Sequence, residues 1–295
     1  MGSRDLDPAA ILAHLGVSDA TAITPVSGGY DTAIWRVECP GGVTALRVFR
    51  PSQGESFQRE VLAMEIARKG GIPVPELRAT GAWQERPVML LSWLPGRSLG
   101  EEVLAHPWRL WPLGVRFGRM QAAIHAVPVP DQPQLPGADW IGLAGSAETA
   151  LQERLRGLTT GRTALIHLDY HPLNVLTDGR RITAVLDWTN GRVGEPRADF
   201  ARTVAILCLT PAPPRRGVRL ELLLRWLLAQ AAQHGYQQIA GSPDDLALFY
   251  AWAGAMLVQD LLPRAGRPER GFRPEHFQRT RRWVERNKRQ AGIVG

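Results

Sequence analysis

Lysine is almost absent from this chain. Among its 295 residues only Lys69 and Lys288 are lysines, so a fixed cation required by any site has to come mainly from arginine. Cysteine is equally scarce. Cys39 and Cys208 have neither metal-ligand nor redox spacing, which argues against a disulfide framework and reads as buried, reduced thiols of a cytoplasmic protein. Long hydrophobic runs are missing as well: the stretch AWAGAMLV before Gln259 is far shorter than the ~20 residues a spanning helix needs. The opening MGSRDLDPAA lacks the apolar segment of a signal peptide, and Leu6 breaks a myristoylation pattern. No Gly-x-Ser-x-Gly occurs, so a serine nucleophile on a strand-to-helix elbow is unsupported. The expectation is a soluble protein with no membrane partner.

The chain does have enough apolar material, 44%, for a substantial core, and a length that suits one large or two modest domains. Its net charge of +7 is unevenly placed: residues 196–295 hold sixteen Arg and Lys against eight Asp and Glu. No helix-turn-helix, zinc or aromatic-basic signature accompanies that excess. The segment PEHFQRTRRWVERNKRQ carries a sparse apolar stripe of Phe277, Trp283 and Val284, so its basic residues read as a solvated helix face and no nucleic-acid partner is expected.

Pattern divides the chain. A short helix is followed by two or three strands in TPVSGGYDTAIWRVECPGGVTALRVFR, separated by glycine turns. In SFQREVLAMEIARKGG, Phe57, Val61 and Met64 recur at helical spacing, with Ser56 as candidate N-cap and Gly70-Gly71 as the stop. PVPELRATGAW and RPVMLLSWL add strands, and Pro95-Gly96 closes this unit. Beyond it, Leu113, Phe117, Met120 and Ile124 share a helix face, and the segments around residues 218–235 and 244–262 read as strong helices. The expected architecture is α+β and bilobed: a β-rich nucleotide-binding lobe over residues 1–95 and a mainly helical lobe over residues 96–295, which holds one hairpin and the substrate pocket in a cleft.

That hairpin is the most informative segment. It reads LIHLDYHPLNVL at residues 165–176, then a turn over residues 177–180 in which Asp-Gly suits a two-residue loop, then AVLDW at residues 184–188. Asn174 and Asp187 fall toward its open end, and Asp169 lies on the loop that enters it. Two carboxylates and an amide oxygen are thereby gathered in one place. Hard oxygen donors on a short frame suit Mg²⁺, and the remaining carboxylate, Asp169, can accept a proton from a hydroxyl. His167-x-Asp169-x-x-x-x-Asn174 followed by Asp187 is the layout of phosphoryl transfer in kinases.

The segment His167–Leu176, together with Leu186-Asp187-Trp188 and Gly194-Glu195-Pro196-Arg197-Ala198-Asp199, resembles the aminoglycoside phosphotransferase and choline kinase family. The resemblance runs from about Val26 to about Asp260. It implies a protein-kinase-like fold and an ATP-dependent kinase acting on a small-molecule hydroxyl, with Asp169 as the base and Asn174 and Asp187 as the Mg²⁺ ligands.

The nucleotide end follows from the same resemblance. Gly28 and Gly29, between strands, would bring backbone N–H groups to the phosphates. Where the kinase pattern has a lysine, this chain has Arg47, on a strand face shared with Val43, Ala45 and Phe49. Its guanidinium fits phosphate. Glu60, four residues before Met64, is its natural partner. Ser92 and Leu94 match the connector whose backbone holds adenine. His125, His167 and Asp199 read as structural, and Arg192 and Arg197 as surface residues by default. Trp226, Tyr250 and Trp252 read equally as an aromatic acceptor wall or as core. The competing reading is a non-catalytic, pseudokinase-like nucleotide-binding module, motivated by Arg47. A protein kinase ranks low, because the span between Asp187 and Gly194 leaves little room for an activation loop. A net basic C-terminal third lowers the odds of an aminoglycoside acceptor.

Overall fold

The structure, a computed structural model, describes residues 6–26, 32–129, 135, 139–158, 163–210, 218–262 and 274–293. Gly28 and Gly29 lie outside the described residues.

The first half is a sheet with one helix on each side. Helix α1 (Pro8–His14) starts at Asp7, whose carboxylate accepts from the amides of Ala9 and Ala10 and so satisfies two orphan donors. Strands β1 (Ala22–Pro25), β2 (Ala33–Cys39), β3 (Gly42–Val48), β4 (Leu77–Trp83) and β5 (Arg86–Ser92) pair antiparallel in the order β1-β2-β3-β5-β4. Alternation sorts their side chains. Val37, Leu46, Val48, Val88 and Leu90 face Ile11 and Leu12 of α1. Phe49, Met89 and Leu91 face the opposite way, toward Ala63 and Met64 of α2 (Gly54–Lys69). The sequence placed the start of α2 at Ser56. The helix instead runs on from a 3₁₀ turn at Pro51–Gln53, so Gln53 occupies the cap position and Ser56 lies inside the first turn. Proline with its fixed φ is well suited to begin such a turn.

The second half is mainly helical. Strand β6 (Arg97–Ser98) leads into α3 (Leu99–Ala105) through a capping box between Ser98 and Glu101. Then follow α4 (Leu110–His125), α5 (Thr149–Arg156), β7 (Ala164–Ile166), β8 (Val175–Thr177), β9 (Ile182–Val185), β10 (Arg192–Gly194), α6 (Pro196–Leu209), α7 (Val218–Ala240), α8 (Leu246–Leu261) and α9 (Pro274–Gln290). Two small sheets frame the hairpin, β6-β8-β9 and β7-β10. The reversal between β8 and β9 spans residues 178–181, longer than the two-residue turn expected. Asp178 accepts from the amides of Arg180 and Arg181, and Gly179 takes φ +84°.

Helices α4 and α7 cross at very close range. A Cβ on Gly118 would lie 1.8 Å from the Ala232 carbonyl oxygen, and one on Gly235 would lie 2.0 Å from that of Val115. Only glycine permits that approach. The crossing buries Phe117, which stacks on Tyr170 with ring centroids 4.2 Å apart, and so connects α4 to the loop that enters the hairpin. No helix among the described residues is long and apolar enough to cross a membrane.

Candidate active site

The loop between β7 and β8 carries a bulky residue in a left-handed conformation. Leu168 has φ +60°, a strained value for a side chain of its size. Helix α6 holds it from both sides. The Asp199 carboxylate accepts from the Leu168 amide at 2.6 Å, and Arg202 Nε donates to the Leu168 carbonyl at 3.3 Å. Asp199 and Arg202 lie one helical turn apart, so together they hold the peptide groups on both sides of Leu168. Asp199 is fully buried, with further bonds to His125 Nε2 (2.9 Å) and Gln121 Nε2 (3.2 Å). Burial acts to raise its pKa, but the His125 bond and charge and the Leu168 amide outweigh it and hold the carboxyl below its ordinary range.

The strained residue aims the next one. Asp169 receives Asn174 Nδ2 at 3.3 Å on its carboxylate and at 3.1 Å on its carbonyl. His171 Nε2 lies 3.6 Å from the same carboxylate. His171 Nδ1 accepts from the Leu173 amide at 3.2 Å, which leaves Nε2 to carry the proton that faces Asp169. Burial would raise the pKa of Asp169, yet His171 first and then Arg202 bring it down to about 2. The carboxylate is therefore ionised throughout the neutral range. Beneath it, burial lowers the pKa of His167 and keeps its ring neutral. His167 Nε2 donates to the Leu186 carbonyl at 3.0 Å, and Nδ1 accepts from the Asp169 amide at 3.3 Å.

Across the cleft stands Arg47 of β3. Nη1 donates to Glu60 Oε1 at 2.5 Å, Nη2 to Asp187 Oδ1 at 3.1 Å and Nε to Thr32 at 3.0 Å. One guanidinium thus joins the sheet, α2 and the end of the hairpin, a task its planar fork suits and an ammonium does not. Glu60 is buried and its Oε2 has no hydrogen-bond partner among the described residues. Burial raises its pKa to about 7 against the pull of Arg47. Arg47 itself stays firmly charged: burial opposes its charge, and Glu60 and Asp187 restore it. Asp187 has φ +60°, a conformation that aspartate tolerates better than most residues. Its pKa is raised by burial and lowered further by Arg47 and by the Thr189 hydroxyl, which donates at 2.8 Å.

Asn174 Oδ1 and Asp187 Oδ2 are among the oxygens of this site that carry no hydrogen bond among the described residues. Both are hard donors, and a magnesium site needs only one or two such protein groups besides phosphate. The donor set fits that ion. No cluster of three or more His, Cys, Asp or Glu occurs among the described residues, so a site built entirely from such protein ligands is not present there.

A family model described as the phosphotransferase enzyme family (APH) matches residues 22–156 and 133–234. This chain belongs to the phosphotransferase enzyme family. Among solved structures, it is similar to a thermostable mutant of aminoglycoside phosphotransferase APH(4)-Ia in ternary complex with ADP and hygromycin B, with 18% identity over 97% of this chain and 98% of that one, at a TM-score of 0.67. Spectinomycin phosphotransferase APH(9)-Ia, in complex with ADP and spectinomycin, is 12% identical over 100% of this chain and 99% of that one, at 0.57. Aminoglycoside phosphotransferase APH(3'')-Id from Streptomyces rimosus is 16% identical over 87% and 99%, at 0.59. No curated protein matches the chain. The fold is thus the protein-kinase-like, bilobed α+β architecture that the sequence led us to expect.

For this member of the phosphotransferase enzyme family, several residues stand where the sequence did not put them. Ser92 is tied to the residue that precedes β4, its amide donating to the Glu76 carbonyl at 2.8 Å and its hydroxyl accepting from the Glu76 amide at 2.9 Å. Leu94 follows in the connector, half-buried. Arg192 and Arg197, expected at the surface, are buried. Arg197 binds Glu195 at 3.0 Å and Asp244 at 2.9 Å. Trp252 is core, and Trp226 is half exposed. Arg202 was not singled out from the sequence. Its signal was its place three residues after Asp199, one turn along the same helix face.

Proposed function

We propose that this chain is an ATP-dependent kinase that transfers the γ-phosphoryl group to a hydroxyl of a small molecule. The reading is carried by one observation: Asp169, held by Asn174 and flanked by His171, sits at the same end of the hairpin as an Arg47–Asp187 pair that is itself anchored on Glu60. Asp169 orients the acceptor hydroxyl. A carboxylate held at about 2 is too weak a base to remove that proton early, so it takes the proton late, as phosphorus–oxygen bond formation acidifies the hydroxyl. Asn174 and Asp187 would hold magnesium, which when bound neutralises charge on phosphate oxygens. Arg47, fixed by Glu60, presents a permanent cation to the α and β phosphates. The connector at Ser92 and Leu94 borders the adenine.

The similar structures hold hygromycin B and spectinomycin. For this chain the acceptor is proposed only as a hydroxylated small molecule. Two acids of its C-terminal third are already engaged: Asp260 pairs with Arg202, and Asp244 with Arg197. A second reading, a nucleotide-binding module without turnover, draws on Arg47, three of whose donors are spent on Thr32, Glu60 and Asp187.

The test is nucleotide consumption with Mg²⁺ over a panel of aminoglycosides, macrolides, choline, sugars and hydroxy amino acids, with Asp169→Ala beside the parent. Acceptor-dependent turnover that disappears in the variant supports the kinase. Nucleotide binding with no turnover on any acceptor favours the module.

A further inference from the structure

A second cavity lies away from the catalytic loop. It has a volume of about 750 Å³ and is lined by Leu209 at the end of α6 and by Trp283 and the arginines of α9. Arg202, which touches the catalytic loop, precedes Leu209 by seven residues on α6, so the two sites stand roughly 10 Å apart along that helix alone. Arg279, Arg282, Arg286 and Arg289 recur every three or four residues on α9 and share one face, with Arg281 beside them. All five are exposed, and none is ion-paired among the described residues. Glu285 is the one acid in the lining.

The opposite face of α9 explains why this one is free to bind. Val284, Thr280 and Asn287 are buried, so the helix is anchored to the body through them and presents its guanidinium groups outward. Trp283 donates from its indole N–H to the Tyr250 carbonyl at 2.9 Å, and Arg286 lies over its ring, 5.1 Å from the centroid. The floor is therefore apolar, made of Leu209, the indole and the arginine stems, and the rim is cationic. Arg279 donates to the Cys208 carbonyl at 2.8 Å and Arg282 to the Gln278 carbonyl at 3.3 Å, but the mutual repulsion of five guanidinium groups is a cost that an anion relieves.

We propose that this cavity binds a small organic phosphate, with an aromatic body against the Trp283 side of the floor and its phosphate on the guanidinium rim. The volume is that of a small-molecule site. Arginine's fork fits phosphate oxygens in pairs. A long nucleic acid is a poorer occupant: residues 1–195 are nearly neutral in sum, so no extended basic track continues from the patch.

The experiment uses 1-naphthyl phosphate as probe, titrated calorimetrically into the full chain, with 1-naphthol and tripolyphosphate as probes that each lack one half. The variants are R282Q/R286Q in the cavity and D187N in the cleft. The expected result is one site for 1-naphthyl phosphate, weaker by about 10-fold or more in R282Q/R286Q and unchanged in D187N, with both half-probes binding less tightly than the whole. No binding, binding indifferent to R282Q/R286Q, or binding altered by D187N would overturn the proposal. So would a single-stranded oligonucleotide that displaces the probe through the same arginines at far lower concentration, which would make the face a nucleic-acid surface.

Discussion

Around Leu168 and Asp169, side chains from α4, α6 and α7 converge in one buried hydrogen-bonded network. Asp199 reaches Leu168, His125 and Gln121. His125 reaches Tyr236 at 2.8 Å, and Thr203 donates to the Tyr170 carbonyl at 3.1 Å. Around Arg47 one guanidinium makes three attachments. The first arrangement shares its strain among many partners and fixes a backbone. The second concentrates its attachments in one residue and leaves Glu60 Oε2 without a partner among the described residues. The loop that carries Asp169 is over-determined, and the junction at Arg47 is not.

The largest effect expected breaks the first arrangement at its purpose. Asp169→Ala should lower turnover about 10²–10⁴-fold and leave nucleotide affinity near that of the parent, read by nucleotide consumption and by calorimetry. Next is its foundation. Asp199→Ala strands the Leu168 amide, His125 and Gln121 in the interior and should cost about 3–5 kcal/mol in a denaturant melt. Arg47→Ala, which leaves Glu60 buried and uncompensated, should cost a comparable amount, and adding Glu60→Gln should recover part of it, whereas no single second substitution should recover Asp199→Ala. Equal rescue in both would erase the contrast.

Smaller effects sharpen it. Arg47→Lys can serve Glu60 or Asp187 but not both, so nucleotide binding should weaken about 10-fold with little change in melting. Glu60 supplies the smallest signal. Its folded pKa is raised from 4.5 to about 7, so the fold binds more protons than the unfolded chain in that interval. Its stabilising share is full below the unfolded value and is lost as pH rises through about 7. Melting temperature should fall modestly over that window, and Glu60→Gln should flatten the slope.

The hairpin was legible because its geometry is local. Once β8 and β9 pair, the positions of Asn174 and Asp187 are set by counting. Arg47 and Glu60 were legible through the family resemblance, and strand alternation in one case and helical spacing in the other agreed with it. The network beneath the catalytic loop was not, since His125 meets Asp199 across 74 residues and Gln121 meets it across 78. No periodicity reports such pairs. Arg197 misled because arginine is usually exposed, and its burial rests on Glu195 and Asp244 lying close enough to offset the lost solvent. A glycine inside a helix ordinarily weakens it, and the close crossing is what Gly118 of α4 and Gly235 of α7 provide in return.

The grip of Arg47 on Asp187 has a consequence for handling. The arginine is an internal counter-ion: it keeps the carboxylates of the cleft in electrical balance before any divalent ion arrives. A chelator should therefore abolish activity while the protein's thermal denaturation profile stays where it was, and preparations stripped of metal should keep on the shelf as well as loaded ones.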